Sequence, residues 1–346
     1  MVECLCLDAV LNRLLDIIML GVSVIICCYN SGWVIDRCLE ALKKQKLDDG
    51  VKWEVILVDN CCSDNTVSVA EDVLVNSDLD WRIVKESKPG LMNARRTGIE
   101  AAKYSYLIYC DDDNLLCEDY INVAFHVMQD NEMIAACGGF GIPCFDKTQK
   151  PDWFDAYAYA YATGAQVKTQ KEADYVLRLY GAGMCVRKAC LKQLFDAGFT
   201  PVLTGRRGNK MLAGDDSELV CAFRILGQKI YADNRLQFQH VIKPQRLELD
   251  RFLQTVKGFG YSLPLLDVYE RFLLGNGYSL SWQVKLFYRS FFKQYIIPKY
   301  IRRERELDSM VRYSISLAAA VGQILFWNDI KKLYGNLKLL KERLDK

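Results

Sequence analysis

From Val22 to Cys137 the apolar positions follow two alternating periods. Short runs that are apolar almost throughout, Val22–Cys28, Trp53–Val58, Trp81–Lys85, Ser105–Cys110 and Met133–Gly138, have the length of strands. Between them, apolar residues recur at helical spacing over Trp33–Lys44, Asn65–Leu74, Leu91–Lys103 and Asp119–Gln129. Continuous apolar runs predict strands buried on both faces. Four strand–helix–strand steps in succession predict an α/β fold, a Rossmann-like, mainly parallel sheet flanked by helices. In such sheets ligands sit outside the carboxyl ends of the strands, so the residues just after each strand are the ones to inspect for chemistry.

After Gly138 the rhythm changes. One strand-like piece, Gly183–Arg187, precedes a basic stretch from Gly205 through Arg206 and Arg207 to Lys210, then a helix from about Asp216 to Leu226 and a strand-like Leu236–Gln239. Beyond Lys243-Pro244 the chain reads as helical, basic and aromatic, as in Lys285–Lys293. At the other end Leu5, Leu7, Val10, Leu11, Leu14 and Leu15 alternate with Asp8, Arg13 and Asp16, the pattern of an amphipathic helix rather than a signal peptide. The expected divisions are residues 1–20, 21–243 and 244–346. Two uncharged stretches fall short of a membrane span. Ile17–Ile35 is broken by turn chemistry at Tyr29–Gly32, and Tyr313–Asn328 is short and carries Ser, Gly and Gln, which fits a core or interfacial helix better.

Charge removes some function classes. In 346 residues, 45 Lys and Arg face 43 Asp and Glu, a balance that excludes a polybasic nucleic-acid binder, so no nucleic-acid partner is expected. The 14 Cys stand singly or in adjacent pairs within apolar runs, with no Cys-x-x-Cys and only His126 and His240 to assist a zinc site. They read as small buried hydrophobes in a reducing, cytoplasmic setting.

The strand ends carry the candidate chemistry. Cys27-Cys28-Tyr29-Asn30 lacks both the dinucleotide-binding and the phosphate-loop glycine patterns. Asp59, with Asn60, ends the second strand, where a carboxylate can accept from a pyrimidine ring N–H or ribose hydroxyls; Asp64 reads as a helix cap. Gly90 opens a helix whose first amides, with Arg95, suit a diphosphate. Asp111-Asp112-Asp113 follows a buried strand, and three adjacent carboxylates repel unless a cation screens them. If the chain stays extended, Asp111 and Asp113 share one side, a pair suited to Mg²⁺ or Mn²⁺. Gly214-Asp215-Asp216 puts carboxylates at a helix start, where one can act as a general base. His240, the only His placed after a strand, is a candidate metal ligand.

In this order and at these intervals the elements resemble the inverting family 2 glycosyltransferases of GT-A fold, over roughly Val22 to His240. Gly181–Met184 and the Gly205-Arg206 loop resemble bacterial members that build surface polysaccharides. The resemblance implies a metal-dependent inverting transfer of a sugar from a nucleotide-diphosphate donor, expected to be a UDP-sugar, to a hydroxyl of a glycan or lipid-linked acceptor. It implies donor contacts at Cys28, Tyr29, Asn30, Asp59, Asn60, Gly90, Arg95, Asp111, Asp112 and Arg206. Asp111, Asp113 and His240 would be ligands to Mn²⁺ or Mg²⁺, and Asp216 the catalytic base. Trp153, Phe154 and the Tyr157–Tyr161 cluster either stack on acceptor rings or belong to the core. The basic, aromatic tail fits peripheral contact with anionic lipid at the inner face of the plasma membrane. The alternatives are a sugar nucleotidyltransferase, for which a Gly-rich first loop is missing, and a non-catalytic nucleotide-sugar-binding protein.

Overall fold

The computed structural model describes residues 19–146, 148–167, 171–207, 210–301 and 306–346. The expected N-terminal amphipathic helix therefore lies outside the described residues. The predicted alternation appears as β1 Val22–Cys28, α1 Ile35–Leu42, β2 Trp53–Asp59, α2 Thr66–Leu74, β3 Trp81–Lys85, α3 Leu91–Ala101 and β4 Tyr106–Asp111. β3, β2, β1 and β4 lie side by side and parallel. Side chains alternate across a strand, so each strand feeds two cores. Ile25, Ile56, Val58 and Leu107 enter one layer, while Val24, Ile26, Val55, Leu57 and Ile108 enter the other. This is why the strands read as apolar throughout.

Past β4 the sheet is mixed. A short β5 Asn114–Leu116 leads into α4 Tyr120–Asp130 and β6 Ile134–Cys144. β7 Ala173–Tyr175 comes next, then β8 Cys185–Arg187, which inserts antiparallel between β4 and β6, so the fifth expected strand does not touch the fourth. After α5 Lys188–Asp196, the ribbon β9 Gly205–Arg207 and β10 Lys210–Leu212 stands apart from the main sheet. α6 Asp215–Ile225 follows, and the long β11 Lys229–Val241 pairs parallel with β6 and antiparallel with β5 and β7. A register shift between Ala232 and Gln237, where Asp233 binds Arg235, hides the first half of β11 from a purely apolar reading.

The tail is helical, as expected: α7 Leu249–Leu273, α8 Leu280–Tyr288, a π-helix Arg289–Ile301, α9 Leu307–Leu325 and α10 Trp327–Leu344. Leu265, Leu266, Tyr269, Ile330 and Leu337 share one core with Ile25 and Val58, so apolar packing runs unbroken across the Lys243-Pro244 junction. The uncharged stretch from Tyr313 lies in α9, which packs on α7 and buries Tyr313, Ala318, Ala319 and Ala320. Among the described residues no single helix is long and apolar enough to cross a membrane; α9 and α10 pass that test only together and are bent by 78°.

The α7–α9 contact is close because Gly260 has no side chain. A Cβ there would stand 2.5 Å from the Ile315 carbonyl oxygen and 2.7 Å from Ala318 Cβ. Gly260→Ala is expected to lower stability by about 1–3 kcal/mol, as overpacking does, despite the better helix propensity of Ala. Urea unfolding checks this; an unchanged midpoint would mean that the helices part at no cost.

Candidate active site

Strand register brings the candidates together. Cys28 pairs with Asp59 and Cys27 with Asp111, so the ends of β1, β2 and β4 form one rim. The loops beyond them are tied to one another. Asn30, at a positive φ, accepts from the Ser63 amide at 2.8 Å, and the Gly32 amide donates to Asp64 at 3.1 Å. Asp64 also accepts from the Thr66 amide, the capping role expected of it. Asp59 is half-buried and accepts from the Cys62 amide at 2.8 Å, while Tyr29 projects into solvent at 62% exposure.

The acidic triplet does not continue the strand. The chain turns at Asp112 and Asp113 before β5, which sends the carboxylates to different partners. Asp112 accepts from the Ser31 hydroxyl. Burial, then the Asp113 charge, pushes its carboxyl up to about 7. Asp113 lies 3.4 Å from His240 Nε2 and 3.6 Å from Arg246 Nη1. His240 Nδ1 donates to the Tyr161 carbonyl at 2.6 Å, which fixes the tautomer and leaves Nε2 to accept from Arg246 Nη1 at 3.1 Å. Among the described residues no three His, Cys, Asp or Glu side chains converge, so Asp111, Asp113 and His240 are not assembled as a set. Asp113 and His240 offer an oxygen and a nitrogen of the kind a divalent ion takes, but the Arg246 guanidinium lies against both, so an ion would have to displace it.

Four of the expected donor contacts have other partners in the structure. Cys28 is fully buried in the apolar layer, and its carbonyl is taken by the Asn60 amide. Asn60 is buried too; it donates to the Lys88 carbonyl and accepts from the Gly90 amide, both at 2.8 Å, so it braces the loop before α3. That bond also removes the Gly90 amide from the free donors expected at the helix start. Arg95 points inward rather than at a diphosphate. It ion-pairs with Asp215, lies 4.9 Å over the Tyr109 ring and is 6% exposed. Losing one partner of such a pair costs about 3–5 kcal/mol, which makes Arg95 a brace of the acidic motif. Arg206 lies in β9 opposite Met211, and its side chain is outside the described atoms; the basic loop is a two-stranded ribbon whose residues 208–209 are not described.

The second acidic motif opens α6. Gly214 sits at φ 107°, a left-handed conformation that favours glycine and turns the chain into the helix. Asp216 accepts from the Gly181 amide at 2.9 Å and from the Ser217 amide at 2.6 Å. Desolvation, then the Asp215 charge, pushes its carboxyl up to about 6. The charges of Asp215 and Asp111 both favour the charged form of Arg95, so both acidic motifs lie within its field. Glu218, two residues further and so on the other side of the helix, is fully buried and accepts from the amides of Val202 and Leu203 and from the Tyr269 hydroxyl at 2.5 Å. The sequence places it among the acidic groups at the helix start, and its bonds to Val202, Leu203 and Tyr269 give it a structural place there. Trp153 stacks on Phe252 at 4.7 Å and Phe154 is fully buried, so these aromatics build a core under the tail.

A mixed, mostly parallel sheet with an acidic turn at its rim and helices on both faces has the GT-A architecture. The glycosyl transferase family 2 model matches residues 23–195, half of the chain, and the chain belongs to that family. Among curated relatives, the uncharacterized glycosyltransferase EpsJ of Bacillus subtilis is 29% identical over 136 residues, 39% of this chain and 38% of that one. The chain spans less than half the length of the first curated relatives it matches. Among solved structures, S. aureus TarS 1-349 in complex with UDP-GlcNAc aligns with a TM-score of 0.52 at 13% identity, covering 94% of this chain and 90% of that one. GalNAc-T7 with UDP, GalNAc and Mn2+ aligns at 0.52 and 17% identity, over 72% of this chain and 51% of that one.

Proposed function

We propose that the protein transfers a sugar from a nucleotide-diphosphate donor, a UDP-sugar, to a hydroxyl of a glycan or lipid-linked acceptor, with inversion. The observation that carries this reading is Asp216, a carboxylate held by two backbone amides at the start of α6, where burial pushes it up to about 6. At neutral pH it is ionised, so it can take the proton of an acceptor hydroxyl as that oxygen attacks the sugar. Asp59 and Asp111 end strands that flank β1 at one rim, where with Tyr29, Asn30 and Asp112 from the adjoining turns they would meet the nucleotide. Asp113 and His240 would hold a divalent ion, which supplies positive charge to the departing diphosphate. Family membership and the solved neighbours that contain UDP-GlcNAc or Mn2+ support donor and ion alike. Exposed Tyr288, Phe292, Tyr300 and Ile301 beside Lys293 and Lys299 support a peripheral place on the cytoplasmic face of the membrane.

Thermal unfolding with nucleotide sugars tests the reading. A UDP-sugar at about a hundredfold excess over its Kd should stabilise the fold by about 2.7 kcal/mol. Mn²⁺ should add to that gain, and Asp113→Ala should remove the added part. If no nucleotide sugar shifts the transition, with or without Mn²⁺, the donor assignment fails.

A further inference from the structure

The chain that leaves β11 stays beside the acidic turn. The Val241 amide donates to the Asp113 carbonyl at 2.9 Å. The Tyr161 hydroxyl donates to the Arg246 carbonyl at 2.8 Å, which fastens the short 3₁₀ helix Pro244–Leu247. The Arg246 guanidinium is thereby carried over the Tyr161 ring, 5.6 Å from its centre. Lys243 of the same segment lies 4.2 Å over the Trp33 ring, and its charge favours the ionised form of Asp112. The protein thus brings two cations of its own to the acidic turn.

One nitrogen of Arg246 meets both candidate ion ligands. Nη1 is 3.1 Å from His240 Nε2 and 3.6 Å from Asp113 Oδ2. Because His240 Nδ1 gives its proton to the Tyr161 carbonyl, Nε2 carries a lone pair, and Nη1 donates into it. A divalent ion would take that same lone pair and a carboxylate oxygen of Asp113. A lone pair serves one partner at a time, and two cations so close repel, so Arg246 and an ion exclude each other. The side chains of His240 and Asp113 are 6% and 17% exposed, whereas that of Arg246 is 25% exposed. The arginine is therefore the member of the group with most water beside it and a way out.

We propose that Arg246 is a resident cation at Asp113 and His240: it holds the place of the divalent ion in the donor-free protein and yields it when a nucleotide diphosphate binds. The inference rests on the glycosyl-transfer reading and deepens it by making ion binding depend on the donor. An ion entering alone would set its charge and that of Arg246 against one carboxylate. The diphosphate brings negative charge enough for both cations, and a guanidinium released from Asp113 can pair with phosphate oxygens instead. By linkage, Arg246 weakens ion binding to the nucleotide-free chain and enlarges the help that nucleotide gives.

Free Mn²⁺ can be followed by its electron paramagnetic resonance signal as the full chain is titrated, with and without UDP. Arg246→Met, which removes the charge and keeps an unbranched side chain, is expected to bind Mn²⁺ at least tenfold more tightly than the unmodified chain when no nucleotide is present. Adding His240→Ala to Arg246→Met should abolish that gain, which locates the ion at His240. UDP should tighten Mn²⁺ binding by a larger factor in the unmodified chain than in Arg246→Met. If Arg246→Met does not fold, Arg246→Gln carries the same test. Equal or weaker Mn²⁺ binding in a folded variant overturns the proposal, and so does a gain that survives the loss of His240. Failure of UDP to bind the unmodified chain would instead remove the donor reading, and the Mn²⁺ titration without nucleotide would still decide whether Arg246 holds the place of the ion.

Discussion

Asp216→Asn is expected to lower turnover by about 10²–10⁴-fold, the usual contribution of a general base, while UDP-sugar binding persists. The amide keeps the shape, and its oxygen can still accept from the Gly181 amide, so the loop should hold. What it loses is the ability to take a proton. The pH profile carries the same signature. The carboxylate titrates near 6, above the ordinary value because burial and Asp215 disfavour its charge. Activity should therefore fall about tenfold per pH unit below 6 and level off above it. Single-turnover transfer, measured beside donor binding by calorimetry, separates the two effects; equal loss of both would take the role of base away from Asp216.

Glu218→Ala should be the most damaging substitution for the fold near the site. It strands the amides of Val202 and Leu203 and the Tyr269 hydroxyl in the core, each worth about 1–3 kcal/mol when left unmade. A total loss of about 3–5 kcal/mol is expected, against about 1 kcal/mol for Tyr269→Phe, in which Glu218 keeps both amides. The Glu218 carboxyl is raised to about 7, chiefly by burial. Its protonated form is the one the fold favours. That stability is full below the ordinary carboxyl value and is lost as pH rises through about 7. Glu218→Gln cannot ionise, so urea midpoints measured from pH 5 to 8 should lose this slope. An unchanged slope would show that Glu218 does not titrate in this window.

How far the sequence could be read depended on the reach of each interaction. β1 to β4 were legible because burial on both faces writes itself into consecutive residues, and the strand ends, Asp59 and Asp111, followed from that. The insertion of β8 was not. Three residues, Cys185–Arg187, pair with strands some 50 and 80 positions earlier, and nothing local marks the partner. The partner of Arg95 was hidden for the same reason. A basic residue in a helix that opens at a strand end looks like a phosphate ligand, while Asp215, its actual partner, stands 120 positions away. Asn60 looked like part of a ligand motif because its backbone-bracing role appears only once Lys88 and Gly90 fold against it.

The unbroken core across Lys243-Pro244 has a consequence for exchange between relatives. Ser262 and Tyr269 grip the segment that carries Asp216, and Leu265 and Leu266 fill the same interior as the first strand. A foreign tail grafted at that junction would have to reproduce this inner surface before it could bring any new preference for an acceptor. Chimeras cut there should fail by insolubility, whereas exchanges confined to the outward side of α10 should be tolerated.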